Sequence, residues 1–580
     1  MLKNIKTLSN SLSHKRKLQG TSLLFLMILT ALLEIISIGA VIPFISALTQ
    51  PKVIMDIPLV ENINNIFGIT SSNEFAFFMT VIFCIASVLA ALIKLLYQWV
   101  QLKFSTAIST DLGKLCFRNI LSLSFYRSSD TNSGDLISTI FVKINLVLMQ
   151  VIIPFFSIVS SFILIIGIFF GLLIINPGVT VILFGSFAAS YFLSLQILKQ
   201  RMYLHGDSVN LNQNIVIKNL QNVFGSIKEI ILGNFQKFYL NIFEDSDYKL
   251  KSSQAKLEFY KVAPRYFVEL FMMSIFAILA YQILSIDDES KFNNLAFLSA
   301  LALTAVKVFP IVQNIFSNWF SIQSHQKVFD DVISRIESNK ALDHDQKTIS
   351  EFTFNSSILI KNVTYKHSST KENLLKNINI TIKKGQKVLV TGQTGSGKST
   401  LIDLIMGLIK PTSGSIEIDN QLLEDKNISS WQSFIGHVPQ SIFMFNKNVI
   451  ENIAIAENLD EISEDHILNL TRISLIHDEI SNWGDAYNTT IGEGGKKISG
   501  GEAQRIGIAR ALYRNPSVLI FDEATNSLDA ETERQVLENI FSEMHDKTMI
   551  FISHQLSNAK FFDLLIELDE GEVKTSNKVK

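Results

Sequence analysis

The sequence predicts a membrane domain of six helices fused to an α/β domain with a phosphate-binding P-loop. Three observations carry this prediction. The first part of the chain contains apolar runs of about 20 residues, which is enough to cross a bilayer. The rest alternates short apolar strands with helical patterns, and it contains a glycine-rich phosphate-binding motif. We expect a transmembrane domain over 1–335, a linker over 336–350 and a nucleotide-binding domain over 351–580.

Composition supports this division. Hydrophobic residues make up 48% of the 580 residues and the mean hydropathy is +0.29, which favours a membrane part joined to a soluble one. The formal net charge of −2 gives no support to a nucleic-acid partner. The two cysteines, Cys84 and Cys116, argue against a disulfide framework or a cysteine metal site.

Six apolar runs are long enough to span a membrane. The two polar stretches 100–148 and 198–261 contain little proline, and we expect them to extend the spans into the cytoplasm as helices. The segment 56–68 has apolar residues at helical spacing, which fits either an amphipathic helix at the outer membrane surface or an ordinary packed loop helix. The predicted spans are 20–47, 74–99, 149–173, 178–197, 262–286 and 293–320.

The distribution of basic residues predicts the orientation. Lys15–Lys17 precede the first span and further basic residues follow the second, whereas Asp287–Lys291 between the fifth and sixth spans is mostly acidic. Since cytoplasmic loops carry an excess of Lys and Arg, both termini are expected in the cytoplasm. The chain is therefore predicted to be a multi-pass protein of a bacterial-type inner (plasma) membrane.

The segment Lys387–Thr400 reads as a strand, a glycine-rich turn and the start of a helix. The glycines let backbone amides wrap a phosphate chain, Lys398 supplies positive charge to the β- and γ-phosphates, and the Ser399 hydroxyl can bind Mg²⁺. This pattern predicts ATP and Mg²⁺ as the ligands. The expected phosphate-binding residues are Gly392, Gln393, Thr394, Gly395, Ser396, Gly397, Lys398, Ser399 and Thr400.

Two further apolar strands end in chemically useful side chains. The run "SVLIFDE" ends in Asp522, which suits Mg²⁺, and Glu523, which can polarise an attacking water. The run "TMIFIS" is expected to deliver His554 to the same edge of a parallel sheet, close to the γ-phosphate.

A second anion-binding helix start is predicted between these motifs. In "ISGGEAQRIGIARAL", Ser499, Gly500, Gly501 and Glu502 form a turn that opens directly into a helix. One P-loop already holds one triphosphate. The economical solution is a dimer in which this turn closes on the ATP of the partner.

In these motifs the chain resembles the ATP-binding cassette transporters. The resemblance covers essentially the whole length of the chain, which has the arrangement of exporter half-transporters. The resemblance implies that Tyr365 stacks on adenine and that Gln440 links metal and water to the membrane domain. It also implies that Thr489–Gly495, with Glu493, touches the partner's intracellular loops. Ser527–Asp529 would cross the dimer interface, which places Asp529 at the ATP site.

Two positions depart from the usual LSGGQ signature, which here has Ile498 and Glu502 at its ends. The family's catalytic glutamate is present as Glu523, which favours a homodimer with two active sites over a heterodimer with one degenerate site. In the family, coupling runs through short helices at the ends of the cytoplasmic extensions. Here they are expected near Ser128–Asp135 and Val223–Lys228.

The cargo has to be inferred from the charged residues inside the spans. Placing a charged side chain in the membrane costs free energy, so such residues are candidates for a functional role. Glu34 and Lys307 each lie about 14 residues, or roughly 20 Å, into their helices. One interpretation is a Glu–Lys pair or a buried packing network. The other is that basic residues in the cavity attract an anionic head group such as a phosphate or pyrophosphate.

The membrane domain is also similar to lipid-linked oligosaccharide flippases, in "LEIISIGAVIPFI", "APRYFVE", "LALTAVKVFP" and "IKEIILGNFQKFYL". This similarity implies a polyprenyl-pyrophosphate glycan as the cargo, moved from the inner to the outer leaflet. The alternatives are export of another lipid or of a peptide. A non-transporting ATPase regulator or channel is a weaker alternative, because Lys398, Glu523 and His554 are all present.

Arg265 and Glu269 stand at the entrance of the fifth span, at i and i+4 on one helix face. Counted from the far end of the span, Arg265 lies about 30 Å down, at the level of the cytoplasmic head groups. We expect an ion pair that anchors this junction. The functional alternative is that Arg265 meets an anionic head group while Glu269 orients its guanidinium.

Overall fold

The structure is a computed structural model of the 580-residue chain, and it describes residues 7, 10, 12–49, 51, 71–121, 133–175, 177–284, 291–337, 353–367, 372–455, 461–492, 497–525, 527–553 and 561–578. The chain divides into two units. The first comprises Met1–Leu123 and Ser128–Lys340, and the second comprises Ser124–Arg127 and Ala341–Lys580.

The described part of the first unit is helical. Its helices are α1 (His14–Gly39), α2 (Val41–Thr49), α3 (Ser72–Leu121), α4 (Ser133–Ser138), α5 (Ile144–Val147), α6 (Ile153–Ile175), α7 (Pro177–Gly225), α8 (Ile227–Leu232), α9 (Gln236–Leu284), α10 (Lys291–Ser324) and α11 (Gln326–Glu337).

Four helical runs in the described part are long and apolar enough to cross a membrane: His14–Ser37, Ser72–Leu121, Asp135–Ile174 and Thr180–Gly225. They contain or overlap the first four predicted spans. The fifth predicted span overlaps α9 up to Leu284, where the described residues stop, and the sixth falls within α10. The extension predicted over 198–261 is helical in the second half of α7, in α8 and in the first half of α9, with breaks at Ser226 and at 233–235.

The first predicted span is not one continuous helix, because it breaks at Ala40 between α1 and α2. Proline at position 43 explains the break. It has no N–H to donate to the Gly39 carbonyl four residues earlier, and its ring would clash with that carbonyl in a regular helix. The hydrogen bonds on either side remain, from Ala40 N to Ile36 O and from Phe44 N to Ala40 O.

The run from Ser133 to Ile175 contains two π-helical segments, Thr139–Lys143 and Leu148–Ile152. Lys143 ends the first of them, and its side chain is only 8% exposed. Its ammonium lies 2.9 Å from Asp135 Oδ1 and 2.6 Å from Asp331 Oδ2. Arg335 pairs with the same two carboxylates, so two cations and two anions tie this run to α11.

The following predicted segments lie outside the described residues: the amphipathic segment 56–68, the acidic segment Asp287–Lys291 except Lys291 itself, and most of the first coupling segment. The second predicted coupling segment includes the turn before α8 and the start of that helix.

The second unit is an α/β domain. Its strands are β1 (Ser357–Lys366), β2 (Asn373–Lys383), β3 (Lys387–Gly392), β4 (Ser413–Ile418), β5 (Gln421–Leu422), β6 (Ile435–Val438), β7 (Val518–Asp522), β8 (Thr548–Ile552), β9 (Leu564–Asp569) and β10 (Glu572–Lys578). Its helices are α12 (Lys398–Ile405), α13 (Ile428–Gln432), α14 (Val449–Ile453), α15 (Glu464–Ile473), α16 (His477–Ser481), α17 (Gly500–Tyr513) and α18 (Ala530–Glu543).

Two sheets organise this domain. One is antiparallel, with the strand order β2-β1-β4-β5, and the other has the order β10-β9-β3-β8-β7-β6. Within the second sheet the neighbours β9-β3, β3-β8, β8-β7 and β7-β6 are all parallel. Strands β3, β7 and β8 are apolar and almost completely buried, as expected for a sheet covered on both faces. Their carboxyl ends therefore share one edge, where the polar motifs follow.

Candidate nucleotide site and membrane cavity

The P-loop follows β3 and leads into α12. Gly397, at the start of that helix, has φ +99°, and a Cβ there would lie 2.6 Å from Leu375 Cδ2. Only glycine fits this left-handed, crowded position. The Ser396 hydroxyl in the same loop is buried and has no hydrogen-bond partner in the structure. An orphaned donor inside a glycine-rich loop at a helix start fits a site for phosphate oxygens.

Lys398 is buried within this loop, at 6% exposure. Its ammonium donates to the carbonyls of Gly392 at 2.8 Å and of Gln393 at 3.0 Å. Burial lowers the pKa of Lys398, while the charges of Glu523 and Asp522 act in the opposite direction. The structure thus places the ammonium at the centre of the loop and within electrostatic reach of both acidic side chains.

Asp522 ends β7, and its carboxyl interacts with the Ser399 hydroxyl in the first turn of α12. Burial and the neighbouring charge of Glu523 raise the pKa of the Asp522 carboxyl. A carboxylate beside a hydroxyl, both close to a phosphate loop, is an oxygen donor set that suits Mg²⁺. The residues present therefore fit this metal.

Glu523 and Gln440 meet at the ends of two neighbouring strands. The Gln440 amide Nε2 donates to Glu523 Oε2 at 2.7 Å. Glu523 has φ +49°, and its own N–H donates to the Ile552 carbonyl of β8 at 3.2 Å. The backbone thus turns sharply as β7 ends, and the carboxylate is oriented by an amide from the end of β6.

The signature turn is a complete capping box at the start of α17. Ser499 N donates to Glu502 Oε2 at 2.6 Å, and Glu502 N donates to Ser499 Oγ at 3.2 Å. Glu502, the unusual residue of the signature, therefore places its carboxylate on the positive end of this helix. Asp529 caps α18 in a similar way, because its side chain accepts from Thr532 N at 3.0 Å.

The structure does not support the predicted stacking role of Tyr365. Its side chain is 7% exposed and packs in the hydrophobic core between the sheets and α12. A ring held in this way offers no open face to a base. His367, two residues further along and just beyond the end of β1, is half-buried.

Two predicted functional residues, His554 and Glu493, lie outside the described residues. Thr394, Gly395, Thr400, Gly500 and Gly501 occupy the loop and helix starts where the sequence predicted them.

The first unit contains a cavity of about 420 Å³ lined by residues of α1, α3, α6 and α10. Glu34 and Lys307 both line it, but they do not form the predicted pair. Glu34 binds Lys94 of α3, with the ammonium 3.2 Å from Oε1 and 3.4 Å from Oε2. The sequence interpretation missed Lys94, although a lysine within the predicted span 74–99 was a sufficient signal.

The predicted ion pair between Arg265 and Glu269 is not formed within the described residues. The Arg265 guanidinium instead lies 5.9 Å from the ring centroid of Phe309 on α10. The contact of Arg265 with the ring of Phe309 joins two helices, and it competes with the ion pair to Glu269 along one helix.

Fold and site together define a membrane protein that carries a P-loop nucleotide-binding domain. Residues 375–526 match the model of the family described as "ABC transporter". The whole chain superposes on a bacterial Atm1-family ABC exporter with ATP bound, with a TM-score of 0.80 at 19% identity, covering 97% of this chain and 95% of that one. The matched segment belongs to the ABC transporters, and the chain has the fold of an ABC exporter.

Curated relatives match part of the chain. The ATP-dependent lipid A-core flippase of Syntrophus aciditrophicus (strain SB) is 41% identical over 216 residues, which are 37% of this chain and 35% of that protein. The alpha-hemolysin translocation ATP-binding protein of Escherichia coli is 35% identical over 237 residues, 41% of this chain and 33% of that protein. The chain thus spans about a third of the length of the curated relatives it matches.

Proposed function

We propose that this protein hydrolyses ATP to drive the export or flipping of an amphipathic substrate across a membrane. The observation that carries the proposal is the convergence of Lys398, Asp522, Glu523 and Gln440 at one edge of the parallel sheet. In ATP hydrolysis, catalysis consists mainly of positioning the phosphates and stabilising charge, and these residue types serve those purposes.

In the proposed reaction, Glu523 accepts a proton from the attacking water, and the hydrogen bond from Gln440 orients its carboxylate. Lys398 exchanges its carbonyl partners for phosphate oxygens of the substrate. Ser399, Asp522 and Gln440 are the residues that would hold Mg²⁺, which when bound neutralises charge developing on the phosphates. His554 is assigned to the γ-phosphate from the sequence.

We assign the partner to a second copy of the same chain. Each copy would contribute Ser499, Gly500 and Gly501 at the start of α17, together with Asp529, to the ATP held by the P-loop of the other. The presence of Glu523 in every copy supports two equivalent active sites. The ring that meets adenine is assigned to His367 rather than Tyr365, since His367 is the more accessible of the two.

The cargo assigned to the membrane domain is a lipid-linked oligosaccharide, a polyprenyl-pyrophosphate glycan moved from the inner to the outer leaflet. Two lysines in a cavity within the spans support an anionic head group. We place the protein in a bacterial-type inner membrane with cytoplasmic termini. Export of another lipid or of a peptide is the second candidate, favoured by partly matching relatives named as a lipid A-core flippase and a hemolysin translocation protein.

Reconstitution tests the cargo. The purified chain in proteoliposomes would be supplied with fluorescent polyprenyl-pyrophosphate glycans, phospholipids and peptides, and ATP-dependent movement between leaflets would be scored. The glycolipid is expected to move only with ATP and only with intact Glu523. Robust transport of a peptide without movement of the glycolipid would overturn the proposal.

A further inference from the structure

The cavity in the first unit has an uneven charge lining. Its charged residues, within the part of the chain that the structure describes, are Glu34, Lys94 and Lys307. Two ammonium groups against one carboxylate leave a net charge of +1. Charges inside membrane segments are costly, and they persist where they pair or serve a ligand. Here one positive charge exceeds what the carboxylate can neutralise.

The ion pair in this cavity is asymmetric. The side chain of Glu34 is 10% exposed, whereas that of Lys94 is 45% exposed. The carboxylate is therefore held in the wall while the ammonium reaches into the open space. The two contacts, at 3.2 and 3.4 Å, are longer than the roughly 2.7–2.9 Å of a tight charge-assisted hydrogen bond. Such a loose contact can be exchanged for a better anion.

Lys307 is the second cation, and no ion pair joins it to another residue in the described ranges. Polar, uncharged side chains complete the lining and can donate to phosphate or sugar oxygens. They include Gln98, Ser160, Ser161 and Asn314. The volume of about 420 Å³ lies within the roughly 300–1,000 Å³ of small-molecule sites.

We propose that this cavity binds a pyrophosphate-bearing lipid head group between Lys94 and Lys307, and that Glu34 is a built-in competitor for Lys94. On binding, the head group replaces Glu34 as the ion-pair partner of Lys94. On release, the ion pair between Glu34 and Lys94 forms again. Glu34 thereby lowers the affinity of the site and limits how long the head group is retained. This inference rests on the proposed transport function and assigns the residues that recognise its substrate.

The test measures equilibrium binding of radiolabelled farnesyl pyrophosphate to the full-length chain in detergent. The binding assay uses a Lys398→Ala background, so that the P-loop does not take up the probe. Lys94→Ala and Lys307→Ala are each expected to raise the Kd about tenfold, as for loss of a charged hydrogen bond. Glu34→Gln is expected to lower the Kd about fivefold, a gain that a misfolded variant would not produce.

The coupling between the two residues is the sharpest part of the test. If Glu34 acts by competing for Lys94, Glu34→Gln has no effect on the Kd in a chain that already carries Lys94→Ala. The matched control is Lys103→Ala, since Lys103 lies on the same helix over the ring of Trp99 and does not line the cavity. Its Kd is expected to equal that of the parent chain.

Two competitors identify the source of the anion. Inorganic pyrophosphate is expected to bind at least tenfold more weakly than farnesyl pyrophosphate, and equal affinity would overturn the lipid assignment. Farnesol, which lacks the phosphates, is expected not to displace the probe. Unchanged or weaker binding in Glu34→Gln, or unchanged binding in Lys94→Ala, would overturn the competitor role. If this binding pattern is observed but the glycolipid is not transported, the proposal that the cargo is a lipid-linked glycan is wrong, whereas the proposed anion-binding site is supported.

Discussion

Gln440 and Glu523, which are 83 residues apart, are joined by a hydrogen bond of 2.7 Å from the amide Nε2 to the carboxylate Oε2. The contact links the ends of β6 and β7, which are parallel neighbours. An amide that donates to one oxygen fixes the orientation of the carboxylate. A carboxylate so oriented at the edge of the phosphate site is a good candidate for the general base.

Glu523→Gln removes the proposed base while keeping nearly the same shape. Because general base catalysis contributes about 10²–10⁴-fold, we expect ATP turnover to fall by at least about a hundredfold while ATP remains bound. Steady-state phosphate release and retention of labelled ATP would measure this. Glu531→Gln, at an exposed ion pair on α18, is the matched control and should turn over normally. Near-normal turnover in Glu523→Gln would refute the assignment.

Glu502→Gln tests the unusual residue of the signature turn. Glutamine can keep the hydrogen bond to Ser499 N, but it removes a negative charge from a helix end proposed to approach the partner's ATP. We expect the KM for ATP to fall about threefold with little change in stability. Glu502→Ala, which also loses the cap, should destabilise the protein by about 1 kcal/mol. A higher KM in Glu502→Gln would contradict the electrostatic argument.

His367→Ala tests the proposed contact with adenine. Loss of one aromatic ring stacked on a base costs about 1–3 kcal/mol, so the KM for ATP should rise roughly tenfold. Discrimination between ATP and other nucleoside triphosphates should weaken as well. Tyr365→Leu, which removes the other ring, should lower the stability of the protein but leave the KM of the folded fraction unchanged, because that ring packs in the core. The reverse result would restore the stacking role to Tyr365.

Asp403 on α12 gives a pH-dependent prediction. Burial, with a further effect of Asp522, raises the pKa of this carboxyl from 3.8 to about 6. A raised pKa stabilises the folded protein below about pH 4, and this contribution is lost as the pH rises through 6. At pH 7, without nucleotide, Asp403→Asn should therefore unfold with a free energy roughly 1–2 kcal/mol higher than the parent, after allowing for solvent screening.

Calorimetric unfolding at pH 7 and pH 4 would check this prediction, because the difference between Asp403→Asn and the parent should vanish at the lower pH. Asp425→Asn is a suitable control, since its side chain is 53% exposed and pairs at the surface with Lys410. An equal difference at both pH values would exclude titration of Asp403 as the cause.

Lys143→Met tests the charged network that ties the π-helical run to α11. Removing the cation leaves Asp331 and Asp135 with Arg335 alone; because both carboxylates are partly exposed and screened by solvent, the loss is expected to cost about 1–2 kcal/mol. Lys249→Met removes a lysine from an exposed i, i+4 pair, which is worth only about 0.5 kcal/mol. Thermal unfolding of the two variants should therefore differ by several degrees, and equal midpoints would show that the network is not stabilising.

The elements of both units follow largely from sequence patterns. Long apolar runs, the alternation of strands with helices and the glycine loop predicted the membrane helices and the parallel sheet. The order β3-β8-β7-β6 brings Gly392, Asp522 and the end of β6 to one edge, as the strand-end argument predicted.

Partners of side chains were less predictable, because they depend on which helices are neighbours. Glu34 lies beside Lys94 rather than Lys307, and Arg265 prefers the ring of Phe309 to a carboxylate one turn along its own helix. Tyr365 packs in the core, a place that the sequence did not predict, because an aromatic residue on a strand suits a buried face as well as a binding face and only the register of β1 decides. The π-helical segments carry no composition signal of their own.

The break at Ala40 divides the first span into two bodies with different neighbours. Helix α1, which carries Glu34, packs against α3 and α6, whereas α2 packs against α10 and α3. Because Pro43 interrupts the helix, the first span consists of two helical segments that can reorient relative to each other. A displacement of the sixth span can be followed by Val41–Thr49 while Glu34 keeps its place beside Lys94. The Glu34–Lys94 pair and the tip of the first span therefore pack against different sets of helices, and only the tip, α2, contacts the sixth span in this way.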